Sequence, residues 1–234
     1  VQIDARIQAN VTALHERIAH SCRAAGRDPA DVDILLATKQ VPADRIATAV
    51  RTGIRLIGEN KVQELAEKDA GLAGLDCTRH FIGHLQSNKV NQVLRHVSCI
   101  QSIDSVDLAD RLQRRLDTLD QTIDVLVQVN TSAEDSKFGV TADGAADLIR
   151  EVARRDRLRL RGLMTIGLPS DDPELARPSY RSLRAIRDDV RHSTGGELRL
   201  DVLSMGMSHD LDIAIAEGAT MVRVGTAVFG TRQA

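Results

Sequence analysis

Short runs rich in Val, Ile and Leu alternate with amphipathic segments along most of this chain, and that rhythm limits its fold more than any single motif. The runs cover residues 32–38, 56–58, 80–83, 99–103, 124–130, 158–166, 198–205 and 221–229, eight in all. Between them, residues 43–51, 61–70, 88–96, 105–116, 142–154, 174–191 and 211–216 carry helical patterns. Ser105, Asp143, Asp172 and Ser208 are candidate helix-start residues. Several runs lack strict alternation, as parallel strands buried on both faces do. Strand alternating with helix implies right-handed βαβ units. Eight such units in 234 residues predict a single (β/α)8 barrel of the TIM type. The rival is an open doubly wound sheet. It calls for a glycine-rich fingerprint after the first strand, whereas this chain reads Ala37-Thr38-Lys39-Gln40 there.

Ahead of the first run, Ile3, Ile7, Val11, Leu14 and Ile18 recur at spacings of three and four, which predicts an extra N-terminal helix with one apolar face. No linker or repeat divides the chain, so residues 1–234 are expected to form one barrel domain. A formal charge of −2 argues against a surface that coats nucleic acid or an anionic membrane. No apolar stretch approaches the roughly 20 residues of a bilayer span, and Val1 to Asn10 carries charges where a signal peptide needs an apolar run. A cytoplasmic protein is expected. Cys22, Cys77 and Cys99 form no CxxC pair and read as ordinary thiols; no metal site is expected.

Chemistry in such barrels sits at the carboxyl ends of the strands. Those ends carry Lys39, Glu59-Asn60, Gly83-His84, Asp104, Asn130, Met164-Thr165, Ser204 to Ser208, and Arg223 with Gly225-Thr226. Lys39 closes an uncharged run. A lysine leaving a barrel floor is expected to be partly desolvated, which lowers its pKa and exposes the lone pair that attacks an aldehyde. The alternative is a lysine that snorkels to solvent. Ser204-Met205-Gly206-Met207-Ser208 and Arg223-Val224-Gly225-Thr226 sit where barrels of this kind build phosphate sites. Arg223 and Gly225 are two apart and point the same way, inward. There Arg223 would meet the anion, face a ring nitrogen, or be satisfied by a carboxylate such as Asp201.

These segments together resemble the pyridoxal phosphate homeostasis proteins, the YggS/PROSC group. The resemblance lies in residues 35–39, Gly58-Glu59-Asn60, His80-Phe81-Ile82-Gly83 with Leu85-Gln86-Ser87-Asn88-Lys89, Ser136-Lys137-Phe138-Gly139, Arg161-Gly162-Leu163-Met164, residues 204–208 and residues 221–230. It implies a barrel related to the N-terminal domain of alanine racemase, with Lys39 as the aldimine anchor of pyridoxal 5′-phosphate (PLP). It implies Ser208, Gly225 and Thr226 at the phosphate, Arg223 near the pyridine nitrogen and Asn60 beside the ring. The implied role is non-catalytic: holding PLP, supporting vitamin B6 homeostasis and supplying PLP-dependent apoenzymes. Lys61, His84 and His209 depart from the usual pattern, leaving the solvent rim open, and Lys137 matches a family lysine that is either a second site or a solvated loop residue.

The alternatives are a weak amino-acid racemase and a lysine aldolase that holds no cofactor. Racemisation needs acid–base groups on both faces of the α-carbon. The single tyrosine, Tyr180, lies in a helical stretch and is expected on the outside. In alanine racemase the second base is a tyrosine from a further domain, so any racemase activity here is expected to be slight. With three Phe, one Tyr and no Trp, no sticky aromatic patch is evident, and a monomer is expected.

Overall fold

The computed structural model describes residues 2–132, 138–168 and 172–230. Helix α1 (Gln2–Ala24) comes first, and Ile7, Val11, Leu14 and Ile18 are all buried, on the face their spacing predicts. There follow β1 (Asp33–Ala37), α2 (Ala43–Arg51), β2 (Leu56–Glu59), α3 (Val62–Leu72), β3 (Thr78–Phe81), α4 (Val90–Val93) and β4 (Cys99–Ile103). Next come α5 (Val106–Leu119), β5 (Ile123–Asn130), β6 (Val140–Thr141), α6 (Ala142–Ala153) and β7 (Leu158–Met164). The chain continues with α7 (Arg177–Ser193), β8 (Val202–Ser204), α8 (Leu211–Ala216), β9 (Met221–Val224) and α9 (Thr226–Phe229).

Neighbouring strands are parallel in the order β4-β3-β2-β1-β9-β8-β7-β5, and β4 pairs with β5 to close the ring. The two-residue β6 pairs only with β5 and stands outside it. The expected eight-stranded barrel is therefore present, and closure removes every strand edge from the ring.

Burial on both faces explains the unbroken apolar runs. In β1, Ile34 and Leu36 pack outward into the main core between strands and helices, while Leu35 points inward to Ile82 and Met221. Successive side chains alternate, but both sides of the sheet are dry.

Helix starts follow local chemistry. Ser105 caps α5 by accepting from the Leu108 N–H at 3.3 Å, and Asp172 caps a short 3-10 turn by accepting from Glu174 N. The cap of α6 is Thr141, accepting from Gly144 N, so Asp143 lies within the first turn instead.

Two apolar runs are shorter strands than expected. The run at 198–205 becomes strand only from Val202, because Leu200 takes a positive φ of 45° that breaks extended pairing. The run at 221–229 ends as strand at Val224. The Gly225 carbonyl then accepts from the N–H of Val228 and Phe229, at 3.1 and 2.9 Å, and winds residues 226–229 into a helical turn.

Gly162, inside β7, sits opposite Val202 of β8, and a Cβ there would lie 1.9 Å from the Val202 carbonyl oxygen. That oxygen belongs to the ladder and cannot retreat without parting two strands. Gly162→Ala is expected to destabilise the fold by about 3 kcal/mol, the upper range for overpacking, as read by urea unfolding. An unchanged unfolding midpoint would show that the β7–β8 pairing is looser than described.

Candidate functional site

Lys39 follows β1 in a tight turn, with Val41 N donating to the Thr38 carbonyl at 2.9 Å and Gln40 at φ 60°. Both neighbours of Lys39 are anchored. Thr38 Oγ1 donates to Glu59 Oε1 at 2.5 Å, and the Gln40 N–H donates to Glu64 Oε2 at 2.6 Å. One cation joins the two anchors. Lys68 Nζ, whose side chain is 11% exposed, donates to Glu59 Oε1, Glu64 Oε2 and the Thr38 carbonyl at 2.7, 2.7 and 2.8 Å. Lys39 itself is half-buried.

The two carboxyls respond oppositely to this shared partner. Burial pushes Glu59 above the usual carboxylate range, outweighing the hydrogen bonds from Lys68 and Thr38. For Glu64, burial is again the largest single influence, yet Lys68 and the Gln40 N–H together hold it below that range. Glu59 Oε2 is buried without a hydrogen-bond partner, which fits the desolvation that dominates there.

Across β1, strand β9 pairs with Leu35 opposite Arg223 and Leu36 opposite Val224. This register brings Gly225 and Thr226 beside Lys39. Lys39, Val41, Gly225, Thr226, Arg6 and Arg45 all line one cavity of about 770 Å³. Among the described residues its wall contains no carboxylate, and the charged side chains there are all cationic. An oxyanion is the ligand class such a wall attracts. A Cβ on Gly225 would lie 3.0 Å from the Ala37 carbonyl, so the β9 turn presses closely on β1.

Ser208 does not cap α8 as expected; the N-cap position is Asp210. Ser208 Oγ instead accepts from the N–H groups of Gly225 and Ala227, both at 3.3 Å, so it marks the same turn from the β8 side. Asp210 orders this loop. Its carboxylate accepts from Met207 N at 2.6 Å and from the Tyr180 hydroxyl at 2.7 Å. The Met207 N–H is therefore already committed. Tyr180 is fully buried rather than on the outside, and burial followed by the nearby Asp210 charge raises its pKa. Its apolar ring packs into the core because Asp210 satisfies the hydroxyl there.

Arg223 points inward as alternation requires and is 6% exposed. Its partners are Ser204 Oγ at 2.9 Å and the Thr165 carbonyl at 2.7 Å. Asp201 pairs instead with Arg191 and Arg199, each at 3.1 Å. Asn60 is exposed after β2 and does not line the cavity; Gly83 lets the β3 end pass against it, since a Cβ there would lie 2.1 Å from the Asn60 carbonyl oxygen. At the rim, His84 stacks on Phe138 with ring centroids 3.8 Å apart and sits 3.3 Å from Asp104. Lys137 lies outside the described residues.

Sequence reading missed the supports: Lys68, Glu64, Arg45, Asp210 and Arg17. Arg17, on α1, donates to the Ser208 carbonyl at 2.7 Å and pairs with Asp212 of α8. Glu64 and Lys68 have the i,i+4 spacing of a helical ion pair, but their union with Glu59 and Thr38, the Asp210–Tyr180 bond and the contacts of Arg45 and Arg17 arise only through the fold. Among the described residues, no group of three His, Cys, Asp or Glu is placed to hold a metal, and no helix is long and apolar enough to cross a membrane.

Removing Lys68 would strand two buried carboxyls. Lys68→Met is expected to cost about 3 kcal/mol at pH 7, the scale for breaking a buried pair on one side. The deficit should shrink as pH falls toward 4. There the variant's carboxyls, their pKa values raised, take up protons, while the wild type loses the stability that Glu64 holds above its depressed pKa. Urea unfolding of both proteins at pH 7 and pH 4 tests this, and a deficit that widens in acid contradicts the shared-cation description.

Residues 6–233 match the family described as "Alanine racemase, N-terminal domain". A pyridoxal phosphate homeostasis protein of Aquifex aeolicus is 40% identical over 93% of this chain and 95% of its own length. A crystal structure of an unknown protein from Bifidobacterium adolescentis superposes with a TM-score of 0.91 at 39% identity, covering 97% of this chain and 96% of that one. PipY of Synechococcus elongatus with PLP bound gives a TM-score of 0.83 at 31% identity, covering 96% of this chain and all of that one. With its closed barrel, its lysine after the first strand and relatives of matching length, this chain belongs to the alanine racemase N-terminal domain family, among the pyridoxal phosphate homeostasis proteins.

Proposed function

We propose that this chain binds pyridoxal 5′-phosphate and serves intracellular vitamin B6 homeostasis as a carrier rather than as an enzyme, with residues 1–234 acting as one barrel unit. The observation that carries the reading is the placement of the Lys39 amine in a cationic cavity floored by the Gly225–Thr226 turn. When bound, the cofactor supplies an aldehyde that a lysine amine takes up reversibly with loss of water.

The residues fit such a group. Lys39 is the covalent anchor, and the pinned turn beneath it keeps its backbone still while the side chain reaches the cavity. Ser208, Gly225 and Thr226 receive the phosphate. The N–H groups of Gly225 and Ala227 meet Ser208 only at 3.3 Å, longer than the usual hydrogen bond, and a dianion would hold them better. Arg223 stands toward the ring nitrogen and keeps it unprotonated, which weakens the ring as an electron sink and suits storage over catalysis. For Asn60, which lies outside the cavity lining, a place beside the ring rests on the family resemblance alone. The relatives' names and the PLP-bound PipY support the ligand and the role. The recipients are PLP-dependent apoenzymes, and the carrier works as a cytoplasmic monomer.

The burial of Tyr180 argues against the racemase alternative. A fully buried phenol bonded to Asp210 is in no position to act as the second base.

Purified protein mixed with PLP is expected to turn yellow, and borohydride to bleach it while fixing the ring's mass on the Lys39 peptide. Lys39→Ala should stay colourless; an undiminished colour in that variant overturns the anchor. Thr226→Val is expected to weaken PLP binding by about tenfold or more, the loss of a hydrogen bond to a charged group, as followed by absorbance titration. Racemisation of an amino acid at ordinary enzymatic rates would overturn the carrier reading.

A further inference from the structure

Inside the barrel, beside the apolar side chains of Leu35, Ile82 and Met221, a line of side-chain hydrogen bonds crosses from β9 to β3. Arg223 donates to Ser204 Oγ at 2.9 Å. Ser204 donates to Gln101 Oε1 at 2.7 Å, and Gln101 Nε2 lies 2.8 Å from His80 Nδ1. Ser204 and Gln101 are fully buried, and His80 is 7% exposed. No water is needed to complete the line.

The polarity of this line is set from one end. A guanidinium only donates, so Ser204 must accept from Arg223, and its own proton then goes to Gln101 Oε1. That fixes the amide with its NH2 toward His80, whose Nδ1 must be the bare nitrogen. Turning the amide over would aim two donors at Ser204 and leave a buried hydroxyl proton without an acceptor. Gln101 Nε2 also lies 3.2 Å from Met221 Sδ, a weak acceptor, which the reversed amide would meet with its oxygen. Burial keeps His80 in the form the line demands, lowering its pKa to about 4, with Asp124 only partly opposing. An imidazolium would face Gln101 donor to donor.

We propose that His80 is a positioning residue for Arg223: as the terminal acceptor of a one-way relay through Gln101 and Ser204, it holds the guanidinium in a single orientation. The Thr165 carbonyl, accepting from the other terminal nitrogen at 2.7 Å, completes the hold. With either link cut, Arg223 keeps one firm partner and gains freedom to turn. The relay is a property of the protein without ligand. Its consequence for the cofactor's ring nitrogen rests on the role proposed above for Arg223.

The test compares His80→Leu, which removes the acceptor, with His80→Asn, whose Oδ1 offers one close to the position of the imidazole Nδ1. In unloaded protein carrying ¹⁵N-arginine, the wild-type Arg223 guanidinium hydrogens should exchange slowly with solvent. His80→Leu should speed that exchange by about tenfold, the scale of one lost buried hydrogen bond, while His80→Asn stays near the wild type. With PLP bound, the visible absorption band should shift in His80→Leu and hold its place in His80→Asn. A purely structural role for His80 would lower the unfolding midpoint of His80→Leu and leave both signals unmoved. If His80→Leu does not fold, Gln101→Met cuts the relay one link along and should reproduce both changes. The proposal is overturned if wild-type Arg223 exchanges like a surface arginine, if the cut relay leaves exchange and band unmoved, or if His80→Asn behaves as His80→Leu. If wild-type protein takes up no PLP, the proposed function falls, while the exchange measurements still decide the relay.

Discussion

A single ammonium group, Lys68 Nζ, underlies the geometry of the site. It lies among Glu59, Glu64 and the Thr38 carbonyl, almost out of water. Two carboxylates brought this close would repel, and one buried cation would bear a heavy desolvation cost; together they satisfy one another. The triad grips the backbone on both sides of Lys39, through Thr38 and Gln40. The lysine that lines the cavity is thus held by another lysine that does not.

The interior of the ring holds two groups of side chains. Leu35, Ile82 and Met221 pack as a small apolar core of their own. Beside them His80, Gln101, Ser204 and Arg223 form a polar line, each with a buried partner. The low polarity of these surroundings makes the hydrogen bonds of the line stronger and their direction harder to reverse. The cavity then opens at the carboxyl ends, on the side where β1 and β9 lie next to each other.

Much of this was legible in the sequence because it depends on period and position. Eight apolar runs separated by helical patterns imply a closed ring, and the strand ends of such a ring bring Lys39, Gly225 and Thr226 to one cavity. Inward alternation correctly turned Arg223 into the barrel. What local reading could not reach were choices between partners. Arg223 takes Ser204 and Thr165 instead of Asp201 because Asp201 lies at the opposite end of β8, engaged with Arg191 and Arg199. Tyr180 looked like a surface residue on a polar helix, yet Asp210, thirty positions on, gives its hydroxyl a reason to be buried. Ser208 had the chemistry of a helix cap, and the β9 turn claimed it first. Each of these outcomes depends on long-range contacts that no window of sequence contains.

Helix α1 contributes no strand to the ring, yet it braces the elements completed last. Arg17 grips Asp212 and the Ser208 carbonyl, and Asn10 donates to the Val228 carbonyl at 2.8 Å, across 218 positions of sequence. During synthesis, this helix leaves the ribosome well before the segments it holds, and its grip on Val228 must wait for 218 further residues. Until then its apolar stripe has no permanent cover. The nascent chain therefore carries an exposed, amphipathic segment until the last strands of the ring have been made, a natural handle for a chaperone and a weak point for premature termination.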